Sequence, residues 1–213
     1  MTINDLARVV AIYVSGLSDF RYVKPEVPYD HMGATITDAV LQPGLNYETV
    51  VKPRVDAIFK KYPTAKTTSG FVKLLAETDP RTLLNWKDFE KPSRLVGVAE
   101  FFKKEQVENE KQLKIWLEKE PNLIKLDAVR GVGKKTIDYF KILCGIPTAA
   151  IDRHLLNFLR QAGVDVNTYE EAKEVIDKTA GLIGKDTALL DHSIWKYMSQ
   201  KQKKFNNCSG TGR

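Results

Sequence analysis

The chain has 213 residues, with 33 Lys and Arg against 27 Asp and Glu for a net charge of +6, and 43% of it is hydrophobic. That supplies enough apolar material for one domain or two small lobes with cores of their own, and the basic excess is compatible with a polyanionic partner. Two cysteines, Cys144 and Cys208, exclude a disulfide framework and a four-cysteine zinc or iron–sulfur centre within one chain, and point to a reducing, intracellular setting.

Residues 1–5 lack a basic region leading into a long apolar core, so neither a signal peptide nor a membrane span is expected. Apolar spacing predicts a helix over 3–15, opened by Thr2 or Asn4 as cap, and then a long connection over 16–35 containing Gly16, Pro25, Pro28 and Gly33. A second helix over 35–41 is broken by Pro43-Gly44. Residues 47–62 place Val50, Val51, Val55, Ile58 and Phe59 at helical spacing and stop at Pro63. Short helices follow over 67–77 and 79–86, and between 91 and 118 the apolar pattern fits two helices or one interrupted helix. Pro121-Asn122 opens a short helix over 123–129. A helix over 134–143 stops at Gly145, Asp152 caps a helix over 153–162, and helices over 169–180 and 186–201 precede a polar tail expected to fray. Strand signals are almost absent, so the prediction is an all-α chain of about ten helices.

Residues 129–136, Val-Arg-Gly-Val-Gly-Lys-Lys-Thr, concentrate the chemistry. Glycines at Gly131 and Gly133 avoid the steric cost of positive φ in a tight turn, and Val132 between them anchors it inwards. Main-chain N–H groups of such a turn and of the next helix start point outwards together and form an anion site aided by the helix dipole, with Arg130 and Lys134 as flanking cations. A bare Gly-x-Gly also serves as nothing more than a helix–helix turn. Two lysines directly after it tilt the balance, because the dipole disfavours each cation at a helix N-terminus by roughly 0.3–1 kcal/mol and a bound anion offsets that cost. Asp152, ahead of Arg153-His154, is a good N-cap in its own right, which stabilises a helix by about 1 kcal/mol. Capping and chemistry are compatible, since one carboxylate oxygen suffices for the cap.

This block, followed by Pro147-Thr148-Ala149-Ala150-Ile151-Asp152-Arg153-His154, resembles the helix-hairpin-helix DNA glycosylases, the superfamily of endonuclease III. A weaker likeness runs over 35–205 and includes Ala39-Val40-Leu41-Gln42, where the family has a helix ending in a DNA-probing glutamine. The resemblance implies two helical lobes with the active site in the cleft between them: residues 31–135 ending in the hairpin, residues 1–30 with 136–207, and a flexible tail over 208–213. Lys135 falls on the family's nucleophilic lysine and Asp152 on its catalytic aspartate. Gly131, Val132, Gly133, Lys134, Arg130, Gln42 and Arg153 are then the expected DNA contacts, with Gln42 filling the gap left by a flipped nucleotide. The implied protein is a monomeric, intracellular repair enzyme acting on double-stranded DNA with a damaged base, bifunctional through a Schiff base on Lys135, and needing no cofactor and no metal. A monofunctional glycosylase using water, and a non-catalytic DNA-binding protein, are the competing expectations. Two features set the chain apart from endonuclease III itself: the four-cysteine cluster is missing, and Arg130 stands where a proline is usual. The remaining candidates read as structural. His154 supports its helix start or contacts a phosphate, His31 and His192 have no partners at metal-site spacing, and Trp86, Trp116 and Trp195 lie in core patterns; of Tyr139 and Phe140, one packs inwards.

Overall fold

The computed structural model describes residues 1–25 and 27–209. Among them the regular elements are helical and none is a strand. The helices are α1 (Ile3–Gly16), α2 (Met32–Leu41), α3 (Lys52–Lys61), α4 (Thr68–Glu77), α5 (Pro80–Leu84), α6 (Glu90–Lys104), α7 (Glu110–Leu117), α8 (Glu120–Asp127), α9 (Lys134–Leu143), α10 (Arg153–Gln161), α11 (Tyr169–Leu182) and α12 (Thr187–Ser209). A π-helical turn, Tyr47–Val51, and a 3-10 turn, Pro63–Lys66, flank α3. The chain divides into two compact units, Glu26–Ile146 and Met1–Pro25 with Pro147–Arg213.

The unit over Glu26–Ile146 is built around α2, every residue of which is buried. A helix apolar on all sides has no solvent face to offer, so it becomes the centre about which others pack; α3, α4, α6 and α9 lie against it. Its threonines are bonded internally. Thr37 donates to the Gly33 carbonyl at 2.6 Å, Thr35 bonds the buried Glu110 carboxylate, and that carboxylate also accepts from the main-chain N–H of Asp30 at 2.7 Å. Phe71, Leu95, Phe102, Leu113 and Phe140 complete the core, with Phe102 and Phe140 edge to face at 5.3 Å between centroids.

In the other unit α1 opens with a capping box, Thr2 Oγ1 accepting from the Asp5 N–H at 3.2 Å and Asp5 from the Thr2 N–H at 3.0 Å. Thr2 is therefore the cap, and Asn4 instead accepts from Lys178 at 3.0 Å. α1 lies along α11, and α12 packs on α10 and α11. Phe158 of α10 sits at the centre of a ring cluster, 5.3 Å from Tyr13 and 6.2 Å from Tyr197.

Four expectations change. The second helix starts at Met32, three residues early, because the His31 ring caps it, Nδ1 accepting from the Ala34 N–H at 3.1 Å. Residues 47–62 split into the π-helical turn and α3, with Pro53 in the first turn of α3, where its missing N–H costs least. The last helix continues to Ser209 through residues expected to fray, a stretch without glycine or proline; the rest of the tail, 210–213, lies outside the described residues. The unit boundary falls after Ile146, not after 135, because α9 buries Ile137, Phe140 and Leu143 in the same core as α2. It falls before Val27, not at 30/31, because Val27 and Tyr29 pack on that core too. No helix among the described residues is long and apolar enough to cross a membrane.

Candidate functional site

α8 ends at Asp127, and two main-chain bonds wind the next residues: the Val129 N–H to the Leu126 carbonyl at 3.0 Å and the Val132 N–H to the Val129 carbonyl at 2.9 Å. Gly131 adopts φ +82°, in the left-handed region, and a methyl group there would overlap the side chain of Arg94. Glycine is thus required twice over at this position. Gly133 is different. Its φ of −142° and ψ of −179° are extended backbone that any residue adopts, so the expected need for positive φ holds for Gly131 alone. A methyl on Gly133 would meet open space. Val132 is buried in the core and anchors the turn as its position between the glycines suggests.

α9 starts at Lys134 directly after Gly133, and no side chain caps it. The first-turn N–H groups of an α-helix lack intrahelical partners and carry the positive end of the dipole. Lys134 is exposed, Lys135 half-buried and Thr136 buried. Against this turn stands the start of α6. Arg94 donates to Glu90 Oε1 from Nη2 at 2.7 Å and from Nε at 3.1 Å, and Arg130 donates to Glu90 Oε2 at 3.3 Å. The Arg94 hydrogen bonds and then the Arg130 charge hold the Glu90 carboxyl below the usual carboxylate range.

Lys91 completes the group. Its Nζ donates to the carbonyls of Val40 at 2.9 Å and Pro43 at 3.1 Å, at the end of α2. Loss of hydration, followed by the charges of Arg94 and Lys135, lowers this amine to about 8. Lys91, Arg94, Arg130 and Lys135 therefore gather beside Asp88 and Glu90, with Lys134 next to Lys135 at the start of α9.

Gln42 caps the C-terminus of α2, its N–H bonded to the Asp38 carbonyl at 2.9 Å, and lies between the two carbonyls that Lys91 holds. Its Oε1 is buried and has no hydrogen-bond partner among the described residues. One turn earlier Asp38 is fully buried, accepting from the Tyr29 hydroxyl at 2.7 Å and from Tyr139, while its Oδ1 has no such partner. Burial pushes the Asp38 carboxyl up to about 7 and the Tyr47 hydroxyl, 3.5 Å from that of Tyr29, up to about 12. Phe140 packs inwards, whereas Tyr139, one turn beyond Lys135, is half-buried and reaches Asp38.

Asp152 and Arg153 belong to the other unit. Asp152 caps α10 with a single oxygen, Oδ1 accepting from the N–H groups of His154 at 2.8 Å and Leu155 at 3.0 Å. Oδ2 takes no part in these bonds, so the capping role leaves half of the carboxylate available. The segment leading to it is fixed by the buried Asp191, which accepts from the Ala150 N–H at 3.1 Å. Arg153 is exposed in the first turn of α10 and His154 is buried.

No cluster of three or more potential metal ligands occurs among the described residues. His31, whose Nε2 lies 3.1 Å from the Tyr62 carbonyl, is occupied at both ring nitrogens by structure. Trp116 is buried in the core expected of it, while Trp86 is half-buried under the Arg54 guanidinium and Trp195 stacks on His192 at 5.6 Å. Lys91 and Arg94 are the members of the basic group that sequence reasoning missed. Their only local signal is spacing, Glu90 and Arg94 lying at i and i+4 on one helix face.

No curated protein matches the chain. A family model does, over residues 10–199, and this span includes most of both units and every residue of the candidate site. The chain belongs to that family, described as a domain of unknown function, DUF8548.

Proposed function

We propose that the chain is a helix-hairpin-helix DNA glycosylase that removes a damaged base from duplex DNA and cleaves the abasic strand through a Schiff base on Lys135. The observation that carries this reading is the half-buried Lys135 in the first turn of α9. That helix start has no side-chain cap, follows a turn wound on Gly131 and Val132, and is surrounded by Lys91, Arg94 and Arg130. A phosphate placed at this helix start complements the helix dipole and the positive charges around it. The open space beside Gly133 leaves room for such an approach.

In this mechanism DNA phosphates bind at the turn and a nucleotide leaves the stack, because C1′ is not accessible within it. The free amine of Lys135 attacks C1′. The glycosidic electron pair departs with the base, which takes up a proton, and the sugar ring opens to an imine on Lys135. Loss of a C2′ proton then expels the 3′ phosphate by β-elimination, and water releases the sugar remnant from the amine. The resemblance gives Asp152 the role of stabilising positive charge that develops on the sugar and of relaying protons; its Oδ2, unused by the cap, suits that role.

The test is borohydride trapping on duplexes carrying uracil, thymine glycol, 8-oxoguanine or 3-methyladenine. Wild-type protein is expected to form a covalent adduct with at least one of them, and Lys135→Ala none. Base release without trapping would replace this reading by a monofunctional glycosylase. Salt-dependent duplex binding with neither release nor adduct would replace it by a DNA-binding protein.

A further inference from the structure

We propose that Lys91 is a positioning residue for the reaction proposed above, on which this inference rests: by holding the Val40 and Pro43 carbonyls it fixes Gln42 at the end of α2, against the helix that carries Lys135. The contact is long-range, joining residues 51 and 48 positions apart in sequence. α2 packs on both α6 and α9, so a bond from the first turn of α6 to the last turn of α2 locks the three helices where their polar ends meet. The last carbonyls of a helix lack intrahelical partners and favour a cation. Water serves that purpose without cost, however, whereas Lys91 gives up part of its hydration beside the charges of Arg94 and Lys135, which Asp88 and Glu90 partly offset. An ammonium held against its own electrostatics marks a place where position matters more than stability.

What it positions is Gln42. The residue lies within the span that Lys91 holds, and its Oε1 has no hydrogen-bond partner among the described residues, so no internal bond ties the side chain in place. In the complex the Gln42 side chain turns outwards from this fixed point, and its amide then pairs with the base left without its partner when a nucleotide leaves the stack. Lys91 stays an ammonium below about pH 8 and loses its charge above it, weakening both bonds, so the placement of Gln42 has an alkaline limit.

The experiment uses the full chain and a duplex with 2-aminopurine beside the base opposite an abasic-site analogue, whose fluorescence rises when stacking is disrupted. At saturating protein, Lys91→Met is expected to reduce the rise severalfold, as Gln42→Ala does, while Lys135→Ala keeps it. Lys91→Arg restores at least half of it. The wild-type rise falls between pH 7 and pH 9, and that of Lys91→Arg does not. This pH comparison needs no Lys91→Met protein and decides the matter should that variant fail to fold. A wild-type rise that is independent of pH, or one retained in folded Lys91→Met, overturns the positioning role. If wild-type protein traps on damaged duplex and Lys91→Met behaves identically, this inference alone falls; if wild-type protein neither traps nor disturbs 2-aminopurine, the glycosylase reading falls with it.

Discussion

Two helix starts in this chain solve the same problem in opposite ways. α10 is finished within the protein: Asp152 accepts two of its first-turn N–H groups, and the preceding strand of chain is tied down by Asp191. α9 has no side-chain cap, and its first turn carries two lysines where the dipole prefers anions. A capped start explains itself through the helix it stabilises. An uncapped one surrounded by cations has no such internal explanation, and under the proposed function a phosphate takes the place of the cap.

The contrast can be broken most severely at Lys135. Lys135→Ala is expected to remove the trapped adduct entirely while the thermal midpoint moves little, since a half-buried side chain at a helix start contributes little packing. Next in size is the pair of turn glycines. Gly131→Ala puts a methyl into Arg94 at φ +82° and should cost about 1–3 kcal/mol in denaturant unfolding. Gly133→Ala, in extended backbone with open space around it, should leave stability within about 0.5 kcal/mol. If Gly133→Ala nevertheless weakens duplex binding several-fold, the open space is where a phosphate docks; unchanged binding would make the turn a mere connection.

At the capped start, Asp152→Ala should cost about 1 kcal/mol, and Asp152→Asn much less, because asparagine caps nearly as well. The asparagine variant removes the charge and keeps the cap, so a slower single-turnover rate with unchanged stability assigns the second oxygen to chemistry. Equal losses in both properties would leave Asp152 a cap only.

The smallest effect concerns Asp38. Its carboxyl is raised to about 7 by burial, above its value in an unfolded chain, so the native state binds the extra proton between about pH 4 and pH 7. The stability it lends is therefore full below pH 4 and lost as pH rises through 7, with a slope of at most about 1.4 kcal/mol per pH unit. Asp38→Asn should flatten this part of the stability profile. The slope should be compared at fixed ionic strength, with Tyr29→Phe as a control that removes one hydrogen bond to the ionised form and extends the sloping region to higher pH.

Much of this architecture was legible in the residues. Lys134–Leu143 has the bounds that spacing predicts, because a glycine turn and Gly145 punctuate it on both sides. Where the reading failed, distant contacts decided. The start of α2 depends on a histidine cap, and histidine has no general claim to that place; the ring serves because Tyr62, far along the chain, holds its other nitrogen. Phe140 and Tyr139 have comparable claims to burial on sequence alone, and the neighbours of α9 sort them.

The sequence by itself determined the all-helical class, the turn on Gly131 and Val132, and the cap at Asp152, since each follows from forces acting within a few residues: spacing, backbone freedom at φ +82°, and a carboxylate three positions from the N–H it accepts. Only the tertiary structure decided that Arg94 roofs the turn, that Lys91 holds the end of α2 and opposes Lys135, and that Asp38 is sealed in with its tyrosines. Charges and buried hydrogen bonds act across space, and which groups share a neighbourhood is fixed by how the helices pack.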